Sequence, residues 1–300
     1  MAVVRLILGV LLALQVTACA ALAQTPPRDT PLKVVATTTH IADFARTIAG
    51  DKIQVTSILH ANDDPHEYQP TAADARAIAD ADVVLRHGLT LDQWADKLID
   101  AAGPKPVYTI TAGLPLRPGD EQSPDGDPHV WQSPPLAKMM VSNVAAALGE
   151  QDPANADAYA ASASRYNQRL DRLDSELKAM IEEIPRENRK MVTNHDAFHY
   201  YTDHFGLELI GSIIPTTSTE EGVPAGSLGR LIRLIIDRQV NAVFSENTVQ
   251  TKVAQDIADQ TGAKVVSGLV SDSLGEPGSG TDSYEGMMRS NTRIIVDALK

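Results

Sequence analysis

Short apolar runs alternate with longer amphipathic segments from residue 32 onward. Runs of three to seven residues rich in Val, Ile and Leu are typical of buried strands, and the segments between them repeat apolar residues every three or four positions, which indicates helices. This alternation predicts an α/β fold with mainly parallel sheets. The predicted strands form two series, 32–36, 53–58, 83–85 and 107–110, then 190–193, 207–213, 242–244 and 264–266. The helices predicted between them are 41–49, 71–79 and 91–101, then 227–238 and 251–260.

The segment between the two series carries the most regular pattern in the chain. Its apolar residues recur at alternating spacings of three and four, which is one stripe along a helix: Tyr159, Ala163, Tyr166, Leu170, Leu173, Leu177, Met180 and Ile184. Pro153 suits a first turn and Pro185 ends the pattern, so we predict one helix of about thirty residues.

These patterns predict two α/β lobes joined by one long, rigid helix. The predicted boundaries are 32–150 for the first lobe, 151–185 for the linking helix and 186–300 for the second lobe. Because a continuous helix is stiffer than a crossover of several strands, we expect no large hinge closure.

The first residues form a secretory signal. Arg5 precedes the apolar run 6–14, which is too short to span a bilayer and is followed by small residues and prolines. Cleavage after Ala23 would remove residues 1–23, whereas the residues before Cys19 also fit a site of lipid attachment. The sequence therefore predicts export to the periplasm and leaves the anchoring mode open.

Composition narrows the chemistry of any site. Cys19 is the only cysteine, so the exported chain forms no internal disulfide and any metal site must use nitrogen and oxygen ligands. The formal charge is −13, and loss of the signal removes one Arg and no acid. This acidity disfavours nucleic acid as a partner. We expect a monomer.

Three histidines lie in short turn-like motifs near the ends of predicted strands. Two motifs read Asp-Pro-His, with His66 and His129, and the third is Asn-His-Asp with His195. Ligands of open α/β sheets bind beyond the carboxyl ends of the strands, and imidazole is a common zinc ligand that also serves manganese, iron and copper. A single loop histidine is weak evidence, but the repeated motif favours a metal site.

The ordered motifs resemble the periplasmic and lipoprotein metal-binding proteins of zinc and manganese ABC importers, the cluster A-I solute-binding proteins. The motifs that carry the resemblance are 34–38, 64–70, 81–84, 88–94, 127–131, 195–201 and 280–288. The resemblance implies a metal in the cleft between the lobes, bound by His66, His129, His195 and Asp282. It also implies delivery to a membrane permease, and a periplasmic metal chaperone is a further candidate partner.

The identity of the metal follows less directly. His195 at the third position is similar to zinc-type or mixed members of the family, whereas many manganese-type members have Glu there. The segment 116–126 lacks the histidine-rich loop of many zinc-specific relatives. We predict Zn²⁺, with Mn²⁺ as the alternative.

Two other functions compete with an importer component. A secreted zinc hydrolase would also use His and Asp ligands, but a catalytic zinc usually has three protein ligands and a water, and the sequence contains no His-Glu-x-x-His motif. We therefore predict no enzymatic activity. A surface adhesin stays open as a second alternative.

The other histidines and two acidic residues near these motifs are expected not to bind the metal. Capping or surface roles are expected for His40, His60 and His87, and no ligand role for His199. Glu246 and Asp196 are candidate acceptors for the ligand imidazoles, with a solvated surface position equally compatible.

Overall fold

The computed structural model describes residues 30–220, 222–224, 226–247 and 252–300. The predicted signal 1–23, with Cys19 and Ala23, lies outside the described residues. Within them, no helix is long and apolar enough to span a membrane.

The first lobe is built on a four-stranded parallel sheet with the order β2-β1-β3-β4. Its strands are β1 (Leu32–Ala36), β2 (Ile53–Ser57), β3 (Val83–Arg86) and β4 (Val107–Thr109). The helices of this part of the chain are α1 (Thr39–Ala49), α2 (Ala72–Asp80), α3 (Asp96–Ala101) and α4 (Pro134–Gln151).

The second lobe repeats this architecture with the order β6-β5-β7-β8, again all parallel. Its strands are β5 (Lys190–His195), β6 (Glu208–Ile214), β7 (Ala242–Glu246) and β8 (Lys264–Leu269). Its helices are α6 (His199–Phe205), α7 (Ser227–Arg238), α8 (Lys252–Thr261) and α9 (Tyr284–Leu299). The predicted α/β fold with two parallel-sheet lobes is confirmed.

One long helix, α5 (Ala156–Glu182), connects the lobes and packs against both. It contacts α1 and α4 on the first-lobe side and α9 on the second-lobe side. Its apolar stripe lies in a hydrophobic core that continues without a break from one lobe to the other. The helix has 27 residues, slightly fewer than predicted, because Pro153–Asn155 forms a separate 3-10 turn before it.

Each lobe also has its own smaller core on the outer face of its sheet. In the first lobe, β1 and β3 pack there against α2 and α3 around Val35, Ile78 and Val84. In the second, β5 and β7 pack against α7 and α8 around Val192, Leu231 and Ile257. Helices therefore cover both faces of each sheet, as a parallel sheet requires.

Hydrogen bonds join the lobes where the carboxyl ends of the strands meet. Thr217 of the second lobe donates from its backbone nitrogen to Asp120 Oδ2 at 2.8 Å. Thr219 Oγ1 donates to Asp64 Oδ2 at 2.7 Å, and Trp131 Nε1 donates to the carbonyl of Ser271 at 2.9 Å. These bonds hold the cleft closed around the residues described next.

Candidate metal centre

Four side chains converge in the cleft between the lobes. His66 and His129 come from the first lobe, and His195 and Asp272 come from the second. Each offers one ligand atom, and these atoms all lie within 4.8 Å of one another. His129, His195 and Asp272 are fully buried, and His66 is half-buried.

The parallel topology explains this convergence. His195 is the last residue of β5, and Asp272 follows the end of β8 by three residues. His66 lies in the connection between β2 and α2, and His129 immediately precedes a 3-10 turn at Val130–Gln132. The carboxyl edges of the two sheets therefore point their following loops into one cleft, which is where open α/β sheets bind ligands.

The spacing of the donor atoms suits a four-coordinate metal. His129 Nε2 and His195 Nε2 are 3.4 Å apart. Asp272 Oδ1 is 3.6 Å from His129 Nε2, and Asp272 Oδ2 is 3.3 Å from His195 Nε2. Zinc bonds of about 2.0–2.1 Å in a tetrahedron place neighbouring ligand atoms about 3.3–3.4 Å apart. The donor atoms of His129, His195 and Asp272 are therefore close to the spacing of a tetrahedral shell, and that of His66 lies within 4.8 Å of them.

A carboxylate orients His129. Asp127 Oδ1 lies 2.8 Å from His129 Nδ1 and also accepts a hydrogen bond from the His129 backbone nitrogen at 3.0 Å. Burial alone would raise the pKa of Asp127, but the hydrogen bonds and charge of His129 outweigh burial and lower this pKa. A neutral His129 that donates its Nδ1 proton to Asp127 presents the Nε2 lone pair to the cleft.

Glu246 plays the same role for His195. Glu246 Oε2 lies 2.7 Å from His195 Nδ1, and Oε1 accepts hydrogen bonds from the backbone nitrogens of Asn194 and His195. Burial favours neutral imidazole, but the carboxylates of Glu246 and Asp272 outweigh it and raise the pKa of His195 well above its ordinary value. In the metal-free protein His195 is therefore a cation between two carboxylates at neutral pH.

The protonation states of the other two converging side chains, Asp272 and His66, also suit metal binding. Burial opposes ionisation of Asp272, but His195, His129 and His66 together lower its pKa below the ordinary value, so it is a carboxylate. Burial lowers the pKa of His66 to about 3. Its Nε2 is buried and has no hydrogen-bond partner among the described residues. A neutral imidazole nitrogen that is buried without a partner is available to a metal.

Asp282 does not belong to this group, which corrects the predicted fourth ligand. It is exposed in the loop before α9, where its Oδ2 accepts a hydrogen bond from the Gly278 backbone nitrogen at 2.7 Å. The carboxylate that faces the histidines is Asp272. The glycine-rich segment 275–280 separates the two residues and places Asp282 on the surface.

Sequence reasoning missed Asp272, although a signal was present. Asp272 lies six residues beyond the predicted strand 264–266, and His195 lies two residues beyond the predicted strand 190–193. The rule that ligands lie beyond the carboxyl ends of parallel strands therefore applied to both. No histidine or proline motif marks it, and it is flanked by Ser271 and Ser273.

Two further histidines lie buried behind the centre, against the expectation of surface or capping roles. His40 stacks on Trp131 with ring centroids 4.7 Å apart, and burial lowers its pKa to about 3. His87 Nε2 lies 2.8 Å from the carbonyl of Pro128, so it supports the turn that carries His129. His60 is exposed, as expected.

The two candidate acceptors, Glu246 and Asp196, contact different histidines. Glu246 holds a predicted ligand, His195, as described above. Asp196 instead pairs with His199, whose Nε2 lies 3.0 Å from Asp196 Oδ1, outside the converging group.

Comparisons with known proteins agree with a metal site of this kind. Residues 34–298 match the family model described as "Zinc-uptake complex component A periplasmic". The "Iron-binding protein YfeA" of Yersinia pestis is 36% identical over 265 residues, covering 86% of this chain and 84% of its own. The "Manganese-binding lipoprotein MntA" of Bacillus subtilis is 34% identical over 281 residues, covering 91% of both.

A solved structure is similar in fold over nearly its whole length. The periplasmic zinc-binding protein TroA from Treponema pallidum superposes with a TM-score of 0.84 at 29% identity, covering 90% of this chain and 99% of that one. The names of these three proteins refer to three metals, iron, manganese and zinc.

Proposed function

This chain belongs to the zinc-uptake complex component A family, and we propose that it binds one divalent transition metal outside the cytoplasm, prefers zinc, and delivers the metal to an ABC importer. Members of the family are substrate-binding proteins of ABC metal transporters and not enzymes. The observation that carries the proposal is the convergence of three imidazoles and one carboxylate at distances that suit a single four-coordinate ion.

The ligand types support zinc over manganese. Zinc accepts four nitrogen and oxygen ligands in a tetrahedron, whereas manganese favours oxygen-rich shells of higher coordination and lies lowest in the usual affinity series. The alternative is a manganese or mixed-metal protein, which the names of the manganese-binding relatives support.

The proposed location and partner follow from the family and the leader. A chain with a secretory signal that serves an ABC importer is expected in the periplasm or on the outer face of the cytoplasmic membrane. Its proposed partner is the membrane permease of that importer. Several relatives are named as lipoproteins, which supports lipid attachment at Cys19 as the alternative to cleavage after Ala23.

Metal analysis of the protein, purified without chelator or polyhistidine tag and dialysed against equal zinc and manganese, tests the proposal. We expect one zinc per chain and little manganese. A protein that retains no metal contradicts the proposed function, and one that retains mainly manganese contradicts the preference.

The third ligand is predicted to set the preference. His195→Glu exchanges a nitrogen donor for an oxygen donor. Replacement of an imidazole weakens zinc binding more than manganese binding, so the ratio of zinc to manganese affinity should fall at least about tenfold. The new carboxylate would face Glu246, so His195→Glu with Glu246→Gln is the matched variant without this repulsion. An unchanged ratio in both variants, measured by competition titration, would show that selectivity arises elsewhere.

A further inference from the structure

A cavity of about 290 Å³ borders the metal centre on the side of His66. Both lobes line it: the first lobe contributes residues around His66, Trp94 and Gln122, and the second contributes Ser218 and Glu220. A water molecule occupies about 30 Å³ in the liquid, so the cavity has room for a divalent ion with a shell of about six waters.

His66 is the ligand that this cavity reaches. Of the four converging side chains it is the only one with partial solvent exposure, since the other three are fully buried. Among the four converging side chains, only His66 lines the cavity, so the cavity meets the centre at His66.

The walls of the cavity suit a hydrated cation. Glu67 and Glu220 are exposed on its lining, amide and hydroxyl side chains supply further oxygen atoms, and no Lys or Arg side chain is among its described lining residues. Carboxylates that line a cleft raise the local concentration of cations and their association rate.

The wall beside His66 is firmly held. Trp94 Nε1 donates a hydrogen bond to the Pro65 carbonyl at 3.1 Å, and the rings of Trp94 and Tyr68 pack with centroids 4.8 Å apart. The His66 backbone nitrogen donates to Asp64 Oδ1 at 2.9 Å, and Asp64 also binds Thr219 of the other lobe. The cavity wall beside His66 is therefore held both by contacts within the first lobe and by a hydrogen bond to the second lobe.

We propose that this cavity is the passage through which a hydrated divalent cation enters and leaves the centre, with Glu67 and Glu220 attracting the ion and His66 as its first protein ligand. The inference rests on the proposed metal-binding function and assigns a route to it.

The charge at the mouth is tested by stopped-flow measurement of zinc association. We expect the double variant Glu67→Gln/Glu220→Gln to associate about three- to tenfold more slowly at low salt, with the difference disappearing at high salt, since rim charges act mainly on the association rate. The control Glu182→Gln/Glu187→Gln removes two exposed carboxylates that do not line the cavity and should associate at nearly the wild-type rate. Equal slowing in both variants would mean that net charge alone matters and would overturn the role of these two residues.

The route itself is tested by blocking it. In a Cys19→Ser background the chain has no other cysteine, so Gln69→Cys, exposed on the cavity lining, can be labelled with a polyethylene glycol maleimide. Glu187→Cys, labelled in the same way, is the control. We expect the label at residue 69 to slow zinc association and dissociation by the same factor of about ten or more while Kd stays unchanged, because a barrier on the path affects both directions equally.

The outcomes separate the two proposals. Unchanged rates with the label at residue 69, in a protein that still binds one zinc, would overturn the passage and show that the ion enters by another way, such as opening of the lobes. Absence of zinc binding at equilibrium in the unlabelled protein would instead overturn the proposed function.

Discussion

At the scale of single residues, Asp272 and Asp282 have opposite surroundings, which leads to opposite predictions. Asp272 is buried against His129 and His195, whereas Asp282 is exposed. Loss of a group that only supports a metal ligand weakens metal binding about 10–100-fold. We expect Asp272→Asn, which changes a ligand itself, to weaken zinc binding by more than that. The matched variant Asp282→Asn should bind zinc as the wild type does. Competition with a fluorescent chelator measures both, and equal losses in the two variants would contradict the assignment.

The charged state of His195 predicts that zinc binding releases a proton. Its pKa is raised in the metal-free protein, so at neutral pH the imidazole carries a proton that the metal must displace. His66, with a pKa of about 3, and the ionised Asp272 carry none. Apparent affinity should rise about tenfold per pH unit as pH increases toward the raised pKa of His195, and level off above it.

Calorimetry in two buffers of different ionisation enthalpy counts this proton. We expect at least about one proton released per zinc near pH 7, since the imidazolium of His195 is neutralised. In Glu246→Gln one of the two carboxylates that raise the pKa of His195 is lost, so proton release should decrease. Binding without proton release in the wild type would show that His195 is already neutral.

At the scale of elements, α5 is predicted to determine the stability of both lobes together. Leu173 is fully buried in the core that the two lobes share. Leu173→Ala should lower the free energy of unfolding by about 2–5 kcal/mol, as large-to-small changes in a core do. The neighbouring exposed residue gives the control, Arg172→Ala, with a change within about 0.5 kcal/mol.

Hydrogen exchange shows in which lobe Leu173→Ala lowers the stability. Since the core around α5 is continuous, exchange should accelerate in both β1 and β5 of Leu173→Ala. Acceleration confined to one lobe would show that the lobes unfold independently.

The sequence predicted most elements because their patterns are local. The strand runs and the stripe of α5 depend on periodicity alone, and the structure has both. Helices α4 and α9 were not predicted. In α4 buried residues such as Leu136, Met140 and Val144 are mixed with many alanines, so its apolar face stands out weakly.

The ligands that belong to sequence motifs could be predicted. The ligand whose position depends only on tertiary packing could not. The motifs drew attention to the three histidines, which the structure brings together. The fourth position depends on which of two aspartates the loop after β8 turns into the cleft. That choice is made by packing between distant segments, as in the hydrogen bond from Trp131 Nε1 to the carbonyl of Ser271 beside Asp272.

At the scale of the whole molecule, the rigid connection predicts little change in shape when metal binds. The lobes share α5 and are already joined by hydrogen bonds such as Thr217 to Asp120 and Thr219 to Asp64. A compact chain of this length is expected to have a radius of gyration of roughly 18–19 Å. Small-angle scattering should give radii for the metal-free and zinc-bound protein that differ by less than about 3% of this value. A decrease of 2 Å or more, roughly a tenth of that radius, would reveal hinge closure.

The order of the four donors along the chain has a consequence for when the protein acquires metal. They lie at residues 66, 129, 195 and 272, and a polypeptide is synthesised and moved across a membrane from its amino end. A chain that ends before residue 272 lacks at least the last donor, and the donors meet only after both sheets have formed. Capture of the metal by all four donors therefore follows folding of both lobes, and chains that end before residue 272 do not hold the ion with the complete set of donors.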